Sequence, residues 1–568
     1  MAKTKEKAPA AKQAATSTQK TGEELVDQAY SLFEEFRDAY ASEWTRQDDC
    51  EELYRADHWD SMEAGDDDPK PTTPVLHSTI ESIAADLLDR MPAAIIRAET
   101  AADETVAEVV GALIEQNHDA ASYRREYRNV IHDLLVSGYG VQEVGYDVSA
   151  NRGVGGAFIR YVDCHNILFD PQVDNLQDGR AVFKIQARTI EWLEKRYPQY
   201  KDEFTKDSYE LTQDTVLKFD QDKSLLLIEY WWREFIPEGE DGKTGKWAVH
   251  MAKMAGRKLL EDSREAKPEG YFASGEYPFF ITTMYARKGS CLGWGLCDLY
   301  GEQQKYSDKL DQITLKNAAM ASHNKLLVTS GSGFDVEDLR DWAKEVHVGE
   351  SLNGVTWFAT PPLPQYTINY AAAIRDGIRE ESGANDVSRG NIGSGVTSAA
   401  AISALQDMSG KRSRMISDAL HETFKDAVRF EIEVEREYNV LPREVTFTDT
   451  AGQQCVETFE SALLNRKTNL GNDVPIEFFV SIKVQQENRW TIQSHNDLII
   501  QMVQLGMIAP DKGVELMEFE GKESLLALTR QQMQMPSEAD MAMTAQDAEQ
   551  QALESELQQM PTPETALA

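Results

Sequence analysis

A long helical run between Gln365 and Pro442 constrains this chain more than any other feature. Its first piece, QYTINYAAAIRDGIREESGAND from Gln365 to Asp386, reads as one helix. A glycine-rich break, VSRGNIGSGVTS from Val387 to Ser398, follows. A second helix opens at TSAAAISAL and runs through FKDAVRFEIEVEREYN to about Asn439. Thr397 and Ser398 suit its start, because a side-chain oxygen there accepts a bond from an unpaired backbone amide. Leu441-Pro442 stops it, since proline lacks the amide proton and clashes with the preceding turn. About 40 residues at 1.5 Å each make a rod of roughly 60 Å. Such a rod is too long for the core of a compact enzyme domain. It suits a wall element in a large assembly.

The chain has 568 residues, enough for several domains with large shared cores. Its net charge of −38 argues against a surface that grips nucleic acid or anionic membrane everywhere. It fits a protein that stays soluble at high local concentration. Five scattered cysteines without a repeated spacing argue for a reducing compartment and against a disulfide scaffold. No apolar run approaches the ~20 residues needed to span a bilayer, so no membrane partner is expected. The opening MAKTKEKAPAAKQAATSTQK is basic but has no apolar core. No signal peptide is expected there, and its composition predicts disorder over residues 1–20.

Helical periodicity runs from Glu23 to about Tyr54 and breaks at the acidic turn Asp66–Pro69. Ser78 and Glu81 match a capping box ahead of Ile80, Ile83, Leu87 and Met91, with Pro92 as the stop. A helix from about Ser122 to Val136 should end at Ser137-Gly138. GVQEVGYDV and GAFIRYVD alternate as two strands about the Gly153–Gly156 turn, and SLLLIEYWWREF with KWAVHMAKMAG reads as another pair. From Gly293 a helical segment of about 30 residues follows. KLLVTSGSG, KEVHVGE and GVTWFATPPLPQY read as short strands and turns. REVTFTDT and PIEFFVSIKVQQ read as strands after Pro442, with a helical region from Thr491 to about Gln534. Residues 531–568 carry no Lys or Arg. The expected class is mixed α+β, mainly α, with no internal repeat of fixed period.

Catalytic chemistry is not legible. A phosphate-binding loop needs a lysine where Val396 stands, and a dinucleotide loop needs a glycine at Ser398 and a strand before it. Gly390–Ser398 therefore reads as a hinge and a capped helix start. The ten histidines are dispersed. Cys164-His165 sit side by side and make a poor chelate, and Cys291 and Cys297 lack a second pair. No catalytic residue, metal or cofactor is expected. One basic stripe stands out. Lys305, Lys309 and Lys316 lie at helical offsets 0, 4 and 11 on one face. Arg375, Arg379 and Arg389 lie on or after the next long helix. These groups are candidates to line a passage for DNA. The alternative is local pairing with Glu302, Asp308, Asp311, Asp376 and Glu380.

In order along the chain, LHSTIESIAADLLDRMPAAIIRAE, HDLLVSGYGVQEVGYD, IRYVDCHNILFDPQVDNLQDGRAVFKI and the glycine break before TSAAAISAL form a pattern. Over about residues 25–535 it resembles the portal proteins of tailed double-stranded DNA bacteriophages. The resemblance implies a ring, typically of twelve copies, about a DNA channel at one capsid vertex. After the disordered basic tail over 1–20, it implies a wing over 21–294 and first stem helix over 295–324. It implies a clip over 325–364, second stem helix over 365–386, tunnel loop over 387–397 and long helix over 398–440. Wing strands would occupy 441–490 and crown helices 491–535, and composition leaves an acidic tail over 536–568. The tail is not required by the family pattern. Channel and tunnel-loop residues would be Lys305, Lys309, Lys316, Arg389, Asn391, Gly393, Ser394 and Gly395. Implied partners are further copies of the chain, the packaging ATPase (terminase), major capsid and scaffolding proteins, head–tail adaptor or tail proteins, and double-stranded DNA. The implied location is the virion, after assembly in the bacterial cytoplasm. The ATPase, not the portal, hydrolyses ATP. A non-viral ring or scaffold protein, or a hydrolase with an unrecognised site, are the other readings. Ile402, Leu405, Ile416, Leu420, Phe424 and Val428 exceed what one helical hairpin buries, so neighbouring copies are expected to cover them.

Overall fold

The structure is a computed structural model. It describes residues 22–65, 68–204, 224–238, 244–322, 325–341, 345–350, 352–358, 361, 363–383, 411–448, 454–467, 473–484, 489–508 and 510–517. The chain divides into two compact units, residues 1–485 and 486–568. In the second, the helix Arg489–Gln504 and a short helix, Pro510–Leu516, pack on one another, and Ile499 is buried.

In the first unit the long helices are α1 (Gly22–Tyr54), α2 (Val75–Leu88), α3 (Glu104–Ala120), α4 (Tyr123–Val136), α5 (Leu296–Ser322), α6 (Gln365–Ser382) and α7 (Lys411–Tyr438). Strands β1 (Pro92–Ala98), β2 (Tyr139–Asp147), β3 (Gly156–Val162), β4 (Ile167–Phe169) and β5 (Ala181–Thr189) come early. β6 (Ser224–Glu238), β7 (Thr244–Ala255), β8 (Lys258–Asp262) and β9 (Phe279–Thr283) follow. β4 to β8 form one antiparallel sheet in chain order. β3, β2 and β9 form a second, with β9 at its edge. Both hairpins read from alternation in the sequence are present.

α7 is the spine of this unit. Ile416, Leu420, Phe424 and Val428 recur at helical spacing and are at most 3% exposed. Phe424 stacks on Tyr123 of α4 at 5.5 Å, and Phe430 meets Phe272 at 4.9 Å and Phe280 of β9 at 5.6 Å. The expectation that neighbouring copies cover these positions is thus corrected. The second sheet and α2 supply the cover from the same chain. A strand from beyond α7, Phe478–Val484, returns to pair with β1 from Pro92↔Val484 to Ala98↔Phe478. Ile402 and Leu405 lie outside the described residues, as does the start of the long helix. Its end matches, at Tyr438 before Pro442.

A buried polar knot ties α7 to its surroundings. One carboxylate oxygen of Glu435 accepts from the Ala157 amide at 2.8 Å and from Asn117 Nδ2 at 2.7 Å. Arg443 stands 3.5 Å away, and burial pushes the Glu435 carboxyl above its usual range. Glu431 holds His118 Nε2 at 2.9 Å.

Two local readings need correction. The capping box at Ser78 is absent. α2 begins at Val75 behind Pro74, the Ser78 hydroxyl donates to Val75 O at 2.9 Å, and Glu81 accepts from Tyr54 Oη at 2.7 Å. The helix starts a turn early because the chain before it is pinned to α5, as described below. KEVHVGE forms no strand in its described residues. Lys325–Val328 takes its partner from Val355–Phe358, and the short helix Val336–Arg340 intervenes.

Gly138 ends the turn after α4 with φ +91°. A Cβ there would meet the Trp294 carbonyl carbon at 2.3 Å, and one on Gly295 would meet Val136 O at 2.4 Å. Only glycine permits both the left-handed backbone and this approach. Gly138→Ala is expected to cost about 2–4 kcal/mol, combining strained φ with a backbone clash. A denaturation midpoint within error of wild type would contradict it.

Candidate functional site

α5 and α6 pack together, with the two-stranded hairpin Lys325–Val328/Val355–Phe358 between them in sequence. The foot of α5 is set by Asp298. Its carboxylate reaches back to the Gly295 amide at 2.8 Å and pairs with Arg46 of α1 at 2.6 Å. This is half of a capping box, supplied from the third helical position. Arg46 also donates to Ser137 O at 2.7 Å, which locks the α5 foot to the end of α4.

Higher on α5 a buried polar ladder captures the segment before α2. Gln304 Nε2 donates to Thr73 O at 2.8 Å, and its Oε1 accepts from the Leu76 amide at 3.2 Å. Asp308, fully buried, accepts from the Thr73 amide at 3.1 Å and faces His58 Nδ1. The other ring nitrogen of His58 meets Leu53 O at 3.0 Å. Gln312 donates to Pro69 O at 3.1 Å. Arg375 of α6 crosses to Ser307 Oγ at 3.0 Å and pairs with Asp311. A buried unpaired acceptor costs free energy, so each bond holds its segment in place.

The lysine stripe is engaged within its own chain. Lys305 sits 3.7 Å from Glu302. Lys309 donates to Glu63 O at 2.7 Å and lies over the Trp59 ring. Lys316 meets Asp68 at 2.6 Å, and its ammonium holds the Asp68 carboxyl below the usual range. Arg379 pairs with Asp376 at 3.3 Å, one of the local pairings weighed above. Arg389, Asn391, Gly393, Ser394 and Gly395 lie outside the described residues.

A second stripe escaped the sequence reading. Leu299, Tyr306, Ile313 and Met320 fall every seven residues on α5 and are 43–62% exposed. Seven residues are nearly two turns, so these side chains share one face, about 80° around the helix from the lysines. Tyr366 and Tyr370 of α6 and Trp357 of the hairpin are at least 60% exposed. The repeat was legible as spacing. What the sequence could not tell is that the face carrying Tyr300, Gln304, Ser307, Asp308 and Gln312 packs inward and leaves this one uncovered.

Among the described residues no cluster of His, Cys, Asp or Glu is placed to hold a metal, and no helix is long and apolar enough to cross a membrane. A family model for the phage P22-like portal protein matches residues 30–567. Comparison with curated protein sequences gives no match. The chain belongs to the phage P22-like portal protein family.

Proposed function

We propose that this portal chain closes into a ring about a DNA channel at one capsid vertex, typically of twelve copies. Through it the genome is packaged and later released, and on it the packaging ATPase and then the tail proteins dock. Capsid and scaffolding proteins would seat the ring during assembly in the host cytoplasm. Residues 21–294 and 441–490 would form the wing, with 295–324 and 365–386 as stem helices and 325–364 as the clip. Residues 387–397 would form the tunnel loop, 398–440 the long helix, and 491–535 the crown.

The observation that carries the reading is the uncovered stripe of α5, one apolar side chain every seven residues. An apolar helical face of this length on a chain of net charge −38 calls for burial against another copy. Negative-stain images of the purified protein should show rings with a central hole. A monomer mass throughout a wide range of salt and concentration would refute it. Self-repulsion opposes closure, so salt or divalent cations should favour the ring.

Lys305, Lys309 and Lys316 would supply sparse basic rings along an otherwise acidic wall, giving weak contacts on which DNA slides. Changing all three to glutamine is expected to leave the ring mass unchanged and to alter DNA translocation or retention. Ring collapse would instead assign them to holding the 57–69 segment on α5. Shortening Gly390–Val396 should leave rings intact and impair packaging.

A further inference from the structure

The edge of β9 has a trench along it. Hydrogen bonds from the Val144 amide to Pro278 O and from the Met284 amide to Gly138 O fix the register of β9 on β2. In an antiparallel pair the bonded residues alternate, so the even-numbered residues of β9 face β2. Phe279, Ile281 and Thr283 therefore turn their backbone groups outward. Gln177 Nε2 takes Phe279 O at 3.4 Å and Thr423 Oγ1 takes Ile281 O at 3.5 Å. Among the described residues nothing accepts from the Ile281 or Thr283 amide.

Two adjoining cavities of about 250 and 240 Å³ lie along this edge. They share Asn175, Leu176 and Ile281. The loop at 174–177 walls one side, and α7 the other at Thr423, Asp426 and Arg429. The rim is acidic. It carries Asp174, Glu276 and Asp426, with Arg429 already 3.5 Å from Asp426.

A strand edge with free amides, set in a trench, is a template for an added strand. Acidic walls select a cationic one. We propose that the trench takes the lysine-rich N-terminal segment of this chain, residues 1–20, as an extra strand along β9. That segment carries five lysines (Lys3, Lys5, Lys7, Lys12 and Lys20) against one Glu6, in a chain otherwise strongly acidic. The acidic C-terminal stretch has the wrong sign. About 20 extended residues span up to roughly 70 Å. The segment cannot bury an apolar core by itself and gains order by pairing.

The test is amide exchange on the full-length protein. In the variant with Lys3, Lys5, Lys7 and Lys12 changed to Glu, the fragment spanning Phe279–Thr283 should exchange about tenfold faster. Glu276→Lys with Asp426→Lys should do the same, and combining both sets should restore protection. An unchanged circular-dichroism spectrum and urea midpoint in the lysine variant separate this effect from a folding defect. Unchanged exchange in that variant overturns the proposal, because some other strand or none then covers the edge. A carbodiimide, which joins amines to carboxylates in direct contact, should link the N-terminal lysines to Asp174, Glu276 or Asp426. Links from those lysines only to other carboxylates would also overturn it.

Discussion

Glutamate at both Tyr306 and Ile313 is expected to abolish ring formation while leaving the fold of the single chain intact. Both side chains are substantially exposed in the isolated chain, at 62% and 43%, so their loss removes little own-chain burial. Surface changes of this kind shift stability by about 0.5 kcal/mol or less. In a closed ring the same positions would be buried at every subunit contact. Each glutamate would then bring an unpaired charge into an apolar seam, at a cost of several kcal/mol per contact. The net charge of −38 per chain makes a further negative group worse. Sedimentation or native mass measurement should show monomer, with an unchanged circular-dichroism spectrum. Rings of normal mass in this variant would mean that the α5 stripe is not the seam.

Phe424→Ala is expected to act in the opposite way, on the chain itself. Phe424 is fully buried, stacked on Tyr123 and near the His118 ring. Removing a buried aromatic ring costs about 3–5 kcal/mol, part transfer and part cavity. Leu420→Ala, one turn earlier, should cost about 2–5 kcal/mol. The loss should appear in the urea midpoint of the unassembled protein. A midpoint unchanged in monomer but lowered in rings would restore the idea that other copies cover this face.

Much of the local structure was legible because its causes are local. The helix to Tyr54, the hairpin of β2 and β3, the Gly138 turn and the stop before Pro442 follow from periodicity and from backbone limits of glycine and proline. The family was legible from the order of such elements. The lysine stripe was legible as spacing, but its surroundings were not. Glu63 and Asp68 come from some 250 residues away in sequence, and only folding brings them to Lys309 and Lys316.

By itself the sequence determined the long helices, the strand pairs, the acidic charge and the order that marks a portal protein. Tertiary structure alone decided which apolar stripe is core and which is surface. Ile416 to Val428 and Leu299 to Met320 are both regular helical stripes of large apolar residues. The first faces a sheet whose strands come from the distant segments 139–162 and 279–283, and is buried. The second turns away from α1, α2 and α6, which cover other sides of α5, and stays exposed. Periodicity marks a face of a helix. What lies opposite that face depends on contacts between residues far apart in the chain, and these decide whether water is excluded.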